Sequence, residues 1–305
     1  MKRIIKILGT VATLASLMLV FLELIKMDID ESILSGRNLI VFGIYIIIYT
    51  GLIFILGTPW GMYVKTITGE KIETSKLYLV FTRSNLMKYI PGNILQYVGR
   101  NEIAVEYGLK HKDVVCATVM DVISLSFSGF LVAILFSFKQ IYYFTLQYID
   151  TTTIGLIVVC IVILLLVFLV LVKKVAFFSF LFNKKMILKL FTGIGLLIVF
   201  HTCSAGMFFA TLTEVLGVEL HGISYAQIIG AWCVGYLIGY VVPGSPGGLG
   251  VREAVIAMLL SYSVDVPVVA MGTVFMRIAN IIGEVLAFLI AYLINGRILL
   301  KKKDD

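Results

Sequence analysis

Arg252 and Glu253 stand side by side in VVPGSPGGLGVREAV (241–255), and Arg277, Asn280 and Glu284 follow at the i, i+3, i+7 spacing of one helical face. An earlier stretch, YIPGNILQYVGRNEIA (89–104), carries Arg100 and Glu102, with Asp121 beyond it. All of them lie in apolar surroundings. An ionisable group at the centre of a membrane helix costs at least ~2.5 to 3.5 kcal/mol, so such groups face an interior, pair, or touch a solvated pathway. Arg252, Arg277 and Arg100 suit a phosphate, because guanidinium matches its oxygens bidentately and stays charged at physiological pH. Glu253, Glu102, Asp121 and Glu284, with Asn280, would orient those arginines or carry coupling protons. The same residues also read as structural ion pairs that tie two interrupted segments to the last helix.

The elements that must position them are membrane helices. Of 305 residues, 60% are hydrophobic and 14% charged, and the mean hydropathy is +1.04, far from soluble globular chains. Apolar runs at 4–25, 38–57, 113–138, 151–172, 187–213 and 266–295 match the ~17 to 25 residues of a spanning helix, and none alternates with period two. Six spans are expected. The run after MKRIIK has no clear small-x-small cleavage site and ends in Glu23, Lys26 and Asp28, so it reads as a retained first helix.

Loop charges orient the spans. Lys2, Arg3 and Lys6 at one end and Arg297, Lys301, Lys302 and Lys303 at the other place both termini in the cytoplasm. Residues 58–112 hold eight basic residues (Lys65, Lys71, Lys76, Arg83, Lys88, Arg100, Lys110, Lys112), and 173–189 hold five with no acid. The loops carrying Asp28, Asp30 and Glu31, then Asp150, then Glu214 and Glu219, face outward on this reading. Six crossings fit only if segments 77–100 and 224–262 return to the side they came from. Each is expected to be a re-entrant hairpin, the first from the cytoplasm and the second from outside. Their tips are Pro91, Gly92 and Asn93 in one, and Pro243, Gly244, Pro246, Gly247, Gly248 and Gly250 in the other. Proline ends and starts helices there and glycine permits positive φ, while broken backbone at membrane depth requires a protein-lined or wet cavity. Asn93 and Ser245 read as helix caps.

The two interrupted segments resemble each other, with Pro-Gly followed by Arg and Glu and the prolines 152 residues apart. Asp121, Ser124 and Ser128 stand 156 residues before Arg277, Asn280 and Glu284 with the same spacing. Two halves of inverted topology follow, 1–140 and 150–297, with a charged cytoplasmic tail at 298–305. In that architecture secondary transporters hold substrate at the midplane between broken helices.

Other motifs point away from catalysis. GSPGGLG is neither a Walker loop nor a dinucleotide fingerprint, and Gly-x-Ser-x-Gly and His-Glu-x-x-His are missing. No enzyme, cofactor, metal site or nucleic-acid partner is expected, and nothing specifies an oligomeric state. Cys116, Cys160, Cys203 and Cys233 read as reduced packing residues, and His111, His201 and His221 as isolated. Gly235 and Gly239 read as a helix-packing pair, Trp60 and Tyr142-Tyr143 as interfacial belt residues.

PGSPGGLGVREAV followed by a helix carrying Arg277, with the earlier KYIPGNILQYVGR, is similar to the transmembrane region of the lysylphosphatidylglycerol synthase/flippase family and its stand-alone bacterial relatives. The resemblance runs from about residue 40 to 295. Pro243, Gly247, Gly248, Gly250, Arg252, Glu253 and Arg277 match its C-terminal motif, and Pro91, Gly92, Asn93 and Arg100 its N-terminal one. It implies a multi-pass plasma-membrane protein with two re-entrant hairpins that moves a lipid with a phosphate-containing headgroup between leaflets. The full-length synthases follow the membrane part with an aminoacyl-transferase domain, whereas this sequence ends at KKKDD, so lysyl transfer does not carry over. A lipid-linked glycan is then as good a cargo as an aminoacylated lipid. The alternative is a non-transporting scaffold or accessory subunit that docks a cytoplasmic glycosyltransferase or aminoacyl-transferase of envelope lipid or polysaccharide synthesis.

Overall fold

The computed structural model describes residues 36–90, 94–148, 184–219, 223–241, 248, 250–261 and 263–304. The expected spans at 4–25 and 151–172, and the tips Pro91, Gly92, Asn93, Pro243, Gly244, Pro246 and Gly247, lie outside them. Among the described residues the chain is all-helical. In chain order the helices are α1 (Gly36–Thr68), α2 (Thr74–Asn85, continued by a 3-10 turn Leu86–Tyr89), α3 (Leu95–Glu106) and α4 (His111–Tyr148). They are followed by α5 (Lys184–Ala210, ending in a π turn Thr211–Val215), α6 (Tyr225–Val241), α7 (Val251–Leu260) and α8 (Val266–Asp304).

Among the described residues four stretches are long and apolar enough to cross a membrane: Gly36–Thr68, His111–Ser137, Lys184–Val215 and Val266–Gly296. They coincide with four of the expected runs and mark a multi-pass membrane protein. Their outward faces carry bare aliphatic and aromatic side chains, among them Ile47, Leu135 and Phe191, as contact with lipid requires. Hydroxyls within these helices turn inward on the backbone: Thr50, Thr58 and Ser124 donate to the carbonyls of Ile46, Phe54 and Met120 at 2.7 Å each. Polar side chains are thereby satisfied without water.

The two interrupted segments fold differently from the spans. Each becomes a pair of short helices packed on one another, α2 with α3 and α6 with α7. At 1.5 Å per residue, α3 and α7 are only about 18 and 15 Å long, roughly half a ~30 Å hydrocarbon core. The second break is shaped by Gly248 and Gly250, with φ of +79° and +76°, a region L side chains avoid. Gly248 also passes so close to Gly239 that a β-carbon on it would lie 3.0 Å from the Gly239 carbonyl oxygen. Gly235 and Gly239 are the packing pair expected of them: α7 lies against both, through Ile256 and Arg252.

Helix contacts repeat between the first four and the last four described helices. Replacing α1, α2, α3 and α4 by α5, α6, α7 and α8, and the reverse, turns every helix–helix contact into another that is present. The α1·α5 contact maps onto itself. These two helices run antiparallel: Arg37 at the start of α1 pairs with Glu214 beyond the end of α5 at 2.8 Å. Tyr49 meets Phe200 midway, and Gly193 near the start of α5 lies under Tyr63 and Pro59.

The core holds one residue expected elsewhere. Trp60 is fully buried, its indole N–H donating to Thr118 Oγ1 at 3.1 Å, so it is a packing residue rather than a belt residue. Its polar edge finds a hydroxyl inside the bundle, which removes the reason to sit at an interface. Tyr142 and Tyr143 fall on α4, but their side chains are outside the described ones. Cys116 and Cys233 are buried free thiols as expected, whereas Cys203 is exposed on α5 and packs no core.

Candidate functional site

The two helix pairs, with α1, α4 and α8, line a cavity of about 70 Å³, room for roughly five waters or one phosphate-sized group. Arg100, Asp121, Arg252, Glu253, Arg277 and Glu284 all line it, joined by Asn280. Residues from distant parts of the sequence thus meet in one place. Glu102 does not line it. Two positions along α3 from Arg100 means a rotation of about 200°, which carries Glu102 to the far side, whereas Glu253 directly follows Arg252 and stays on the cavity face.

Four bases face three acids here. Arg100 Nη1 donates to Asp121 Oδ2 at 2.9 Å and its Nε to Ser84 Oγ at 3.2 Å. Its guanidinium lies 4.3 Å from the Phe81 ring centre, with Trp60 and Tyr97 further around it. This arginine is 3% exposed and fully engaged. Arg277 Nη1 donates to Glu253 Oε1 at 2.8 Å, tying α8 to α7. Glu284, 1% exposed, accepts from Lys88 Nζ at 2.5 Å, Tyr89 Oη at 3.1 Å and Tyr49 Oη at 3.4 Å. Three donors from two other elements therefore hold one carboxylate of α8.

Arg252 is the exception. Among the described residues it has no carboxylate within ion-pair distance, its Nε has no hydrogen-bond partner, and its guanidinium rests 4.5 Å from the centre of the Tyr236 ring. Stacking on an aromatic face leaves the in-plane N–H donors directed elsewhere. Three more polar atoms of the cavity lining also lack a partner among the described residues: Asn85 Nδ2, Glu253 Oε2 and Asn280 Oδ1. Buried polar groups are ordinarily satisfied, and here several without a partner among the described residues cluster in one place.

Several lining residues were not singled out in the sequence. Lys88 was counted as a loop charge but closes an ion pair with α8, and Arg100 likewise leaves the loop inventory for the interior. Arg83 too is largely enclosed, 4.0 Å from Glu106. The signal was present: Lys88 stands three residues before Pro91-Gly92 in an apolar segment, where a lysine meets the same cost argument as the arginines. Tyr97 and Tyr240 hydrogen-bond across the cavity from α3 to α6, and Tyr236 stacks on Tyr240. Single tyrosines in oily helices carry no spacing that foretells such contacts. Ser124 and Ser128 are buried but bond to Tyr63 and to backbone, away from the lining. No group of three metal-ligating side chains occurs among the described residues. Compared with protein families, curated proteins and solved structures, the chain matches none.

Proposed function

We propose that this protein is a flippase-like transporter that moves a phosphate-containing lipid or lipid-linked glycan between leaflets of the plasma membrane. The observation that carries the reading is Arg252: among the described residues it has no carboxylate within ion-pair distance and its Nε has no hydrogen-bond partner, in a cavity whose other three cations are each matched by a carboxylate. In a low-dielectric interior such a charge is costly until an anion joins it. The headgroup phosphate is that anion, and the membrane location of the cavity favours one that arrives on a lipid.

The architecture we propose is six spans with two re-entrant hairpins in two inverted repeats, both termini cytoplasmic. The interchangeable contacts of the halves and the antiparallel α1 and α5 support it, as do short helices either side of each break. Kinship with the lysylphosphatidylglycerol synthase/flippase membrane region is part of the same proposal, resting on the matched motif residues. Alternating exposure of the cavity would come from rocking one half against the other.

The test is lipid translocation by purified protein in proteoliposomes. Arg252→Ala should reduce it to the protein-free background while leaving the melting temperature in detergent nearly unchanged, because the side chain gives up no ion pair. Wild-type rates in a well-folded Arg252→Ala protein would reject the site.

A further inference from the structure

The cavity's charge and its unpartnered atoms specify the headgroup more narrowly. Lys88, Arg100, Arg252 and Arg277 face Asp121, Glu253 and Glu284, a formal surplus of one positive charge. A ligand with one negative charge neutralises it. A phosphomonoester near its dianionic form, or a diphosphate, overshoots, and an aminoacylated headgroup brings its own cation to a site that already has one too many.

Hydrogen bonding adds a second, independent requirement. Among the described residues, Arg252 Nε and Asn85 Nδ2 are unpartnered donors, while Glu253 Oε2 and Asn280 Oδ1 are unpartnered acceptors. Both asparagines are more than nine-tenths buried and line the cavity. A phosphate has acceptors for the first two and nothing for the second two. The occupant must also donate, and since charge balance disfavours ammonium, the donors are hydroxyls.

We infer that the site takes a singly charged phosphodiester headgroup bearing hydroxyls, a polyol or sugar joined through one phosphate. This rests on the lipid-transport reading above and narrows its substrate. The phosphate sits against Arg252, and the hydroxyls donate to Glu253 Oε2 and Asn280 Oδ1.

Four tail-labelled lipids separate the requirements in proteoliposomes of neutral lipid. Phosphatidylglycerol has one charge and two hydroxyls, phosphatidylmethanol one charge and none, phosphatidic acid is a monoester, and lysyl-phosphatidylglycerol is net cationic. Expected is phosphatidylglycerol fastest, ahead of phosphatidylmethanol by about tenfold, one hydrogen bond to a buried acceptor, and ahead of the other two by more. Asn280→Leu should shrink the gap between the first two, and Glu253→Gln, which adds one net positive charge, should shift preference toward phosphatidic acid. The ranking on the unaltered protein stands even where a variant fails to fold. Phosphatidic acid or lysyl-phosphatidylglycerol moving as fast as phosphatidylglycerol, or phosphatidylmethanol matching it, would overturn the headgroup assignment and leave lipid transport standing. Movement of no phospholipid would overturn both. Equal uptake of acyl-free glycerophosphoglycerol would keep the headgroup chemistry and overturn the lipid reading.

Discussion

The two interrupted segments begin as near copies and end as opposites. In the first, the arginine that follows the break is enclosed: Arg100 has a carboxylate, a hydroxyl and three aromatic rings around it. In the second, Arg252 has among the described residues one ring and no acid, because its neighbour Glu253 is already engaged by Arg277. The polarity of the pair to the following long helix is also reversed, Arg on α3 with Asp on α4 in one, Glu on α7 with Arg on α8 in the other. Two similar motifs thus differ in what their arginines meet, one being locked into an ion pair and the other, on the transport reading proposed above, leaving a cation for the ligand.

The largest effect that could break this division is on stability. Arg100→Ala leaves Asp121 buried and unpaired, and such a loss costs about 3 to 5 kcal/mol. Thermal or denaturant unfolding in detergent should show it clearly, against little change for Arg252→Ala. Equal destabilisation by the two substitutions would mean that Arg252 is as structural as Arg100, and the contrast between the hairpins would be lost.

How much of this the sequence disclosed depends on the kind of residue. The spans were legible because lipid imposes a long apolar run, and α1, α4, α5 and α8 fall where those runs are. The cavity's charges were legible from the cost of placing them in lipid, and six of the seven charged residues singled out, Arg100, Asp121, Arg252, Glu253, Arg277 and Glu284, do meet. Their pairing was not, because partners such as Lys88 and Glu284 lie 196 residues apart and no local pattern links them. Lys88 was misplaced for an instructive reason: positive-inside counting treats every lysine between two spans as a loop residue, and this one lies in a segment that dips back into the protein. Trp60 was misread similarly, since only its partner Thr118 shows that its N–H is satisfied inside. The aligned glutamates Glu102 and Glu253 part company over a single inserted residue, which on a helix is a change of face.

A medium effect sharpens the comparison at the glycines that hold each helix pair together. A β-carbon at Gly235 would lie 2.5 Å from Ile256 Cγ1 and 3.1 Å from the Arg252 carbonyl oxygen. Gly235→Ala therefore pushes on α7 backbone and should cost about 1 to 3 kcal/mol as overpacking, with a matching loss of transport as Arg252 shifts. In the first pair, the atoms nearest a β-carbon on Gly99 of α3 all belong to the side chain of Met87, an unbranched thioether that swings aside. Gly99→Ala should cost less than Gly235→Ala in the same unfolding measurement, and the reverse order would show that the first pair is the tighter one.

The smallest effect tests the enclosure of Arg100 from its edge. Trp60→Phe keeps an aromatic ring beside the guanidinium but deletes the N–H that Thr118 accepts, and leaves that hydroxyl without its donor in a buried place. A loss of about 1 kcal/mol is expected, visible as a small drop in melting temperature, with translocation unchanged at temperatures where the protein is folded. On the other side, Tyr236→Leu removes the only ring within reach of Arg252 among the described residues. It should weaken lipid transport more than it weakens the fold. If Trp60→Phe slowed transport while Tyr236→Leu did not, the ligand would have to sit against the first hairpin, and Arg100 rather than Arg252 would be its cation.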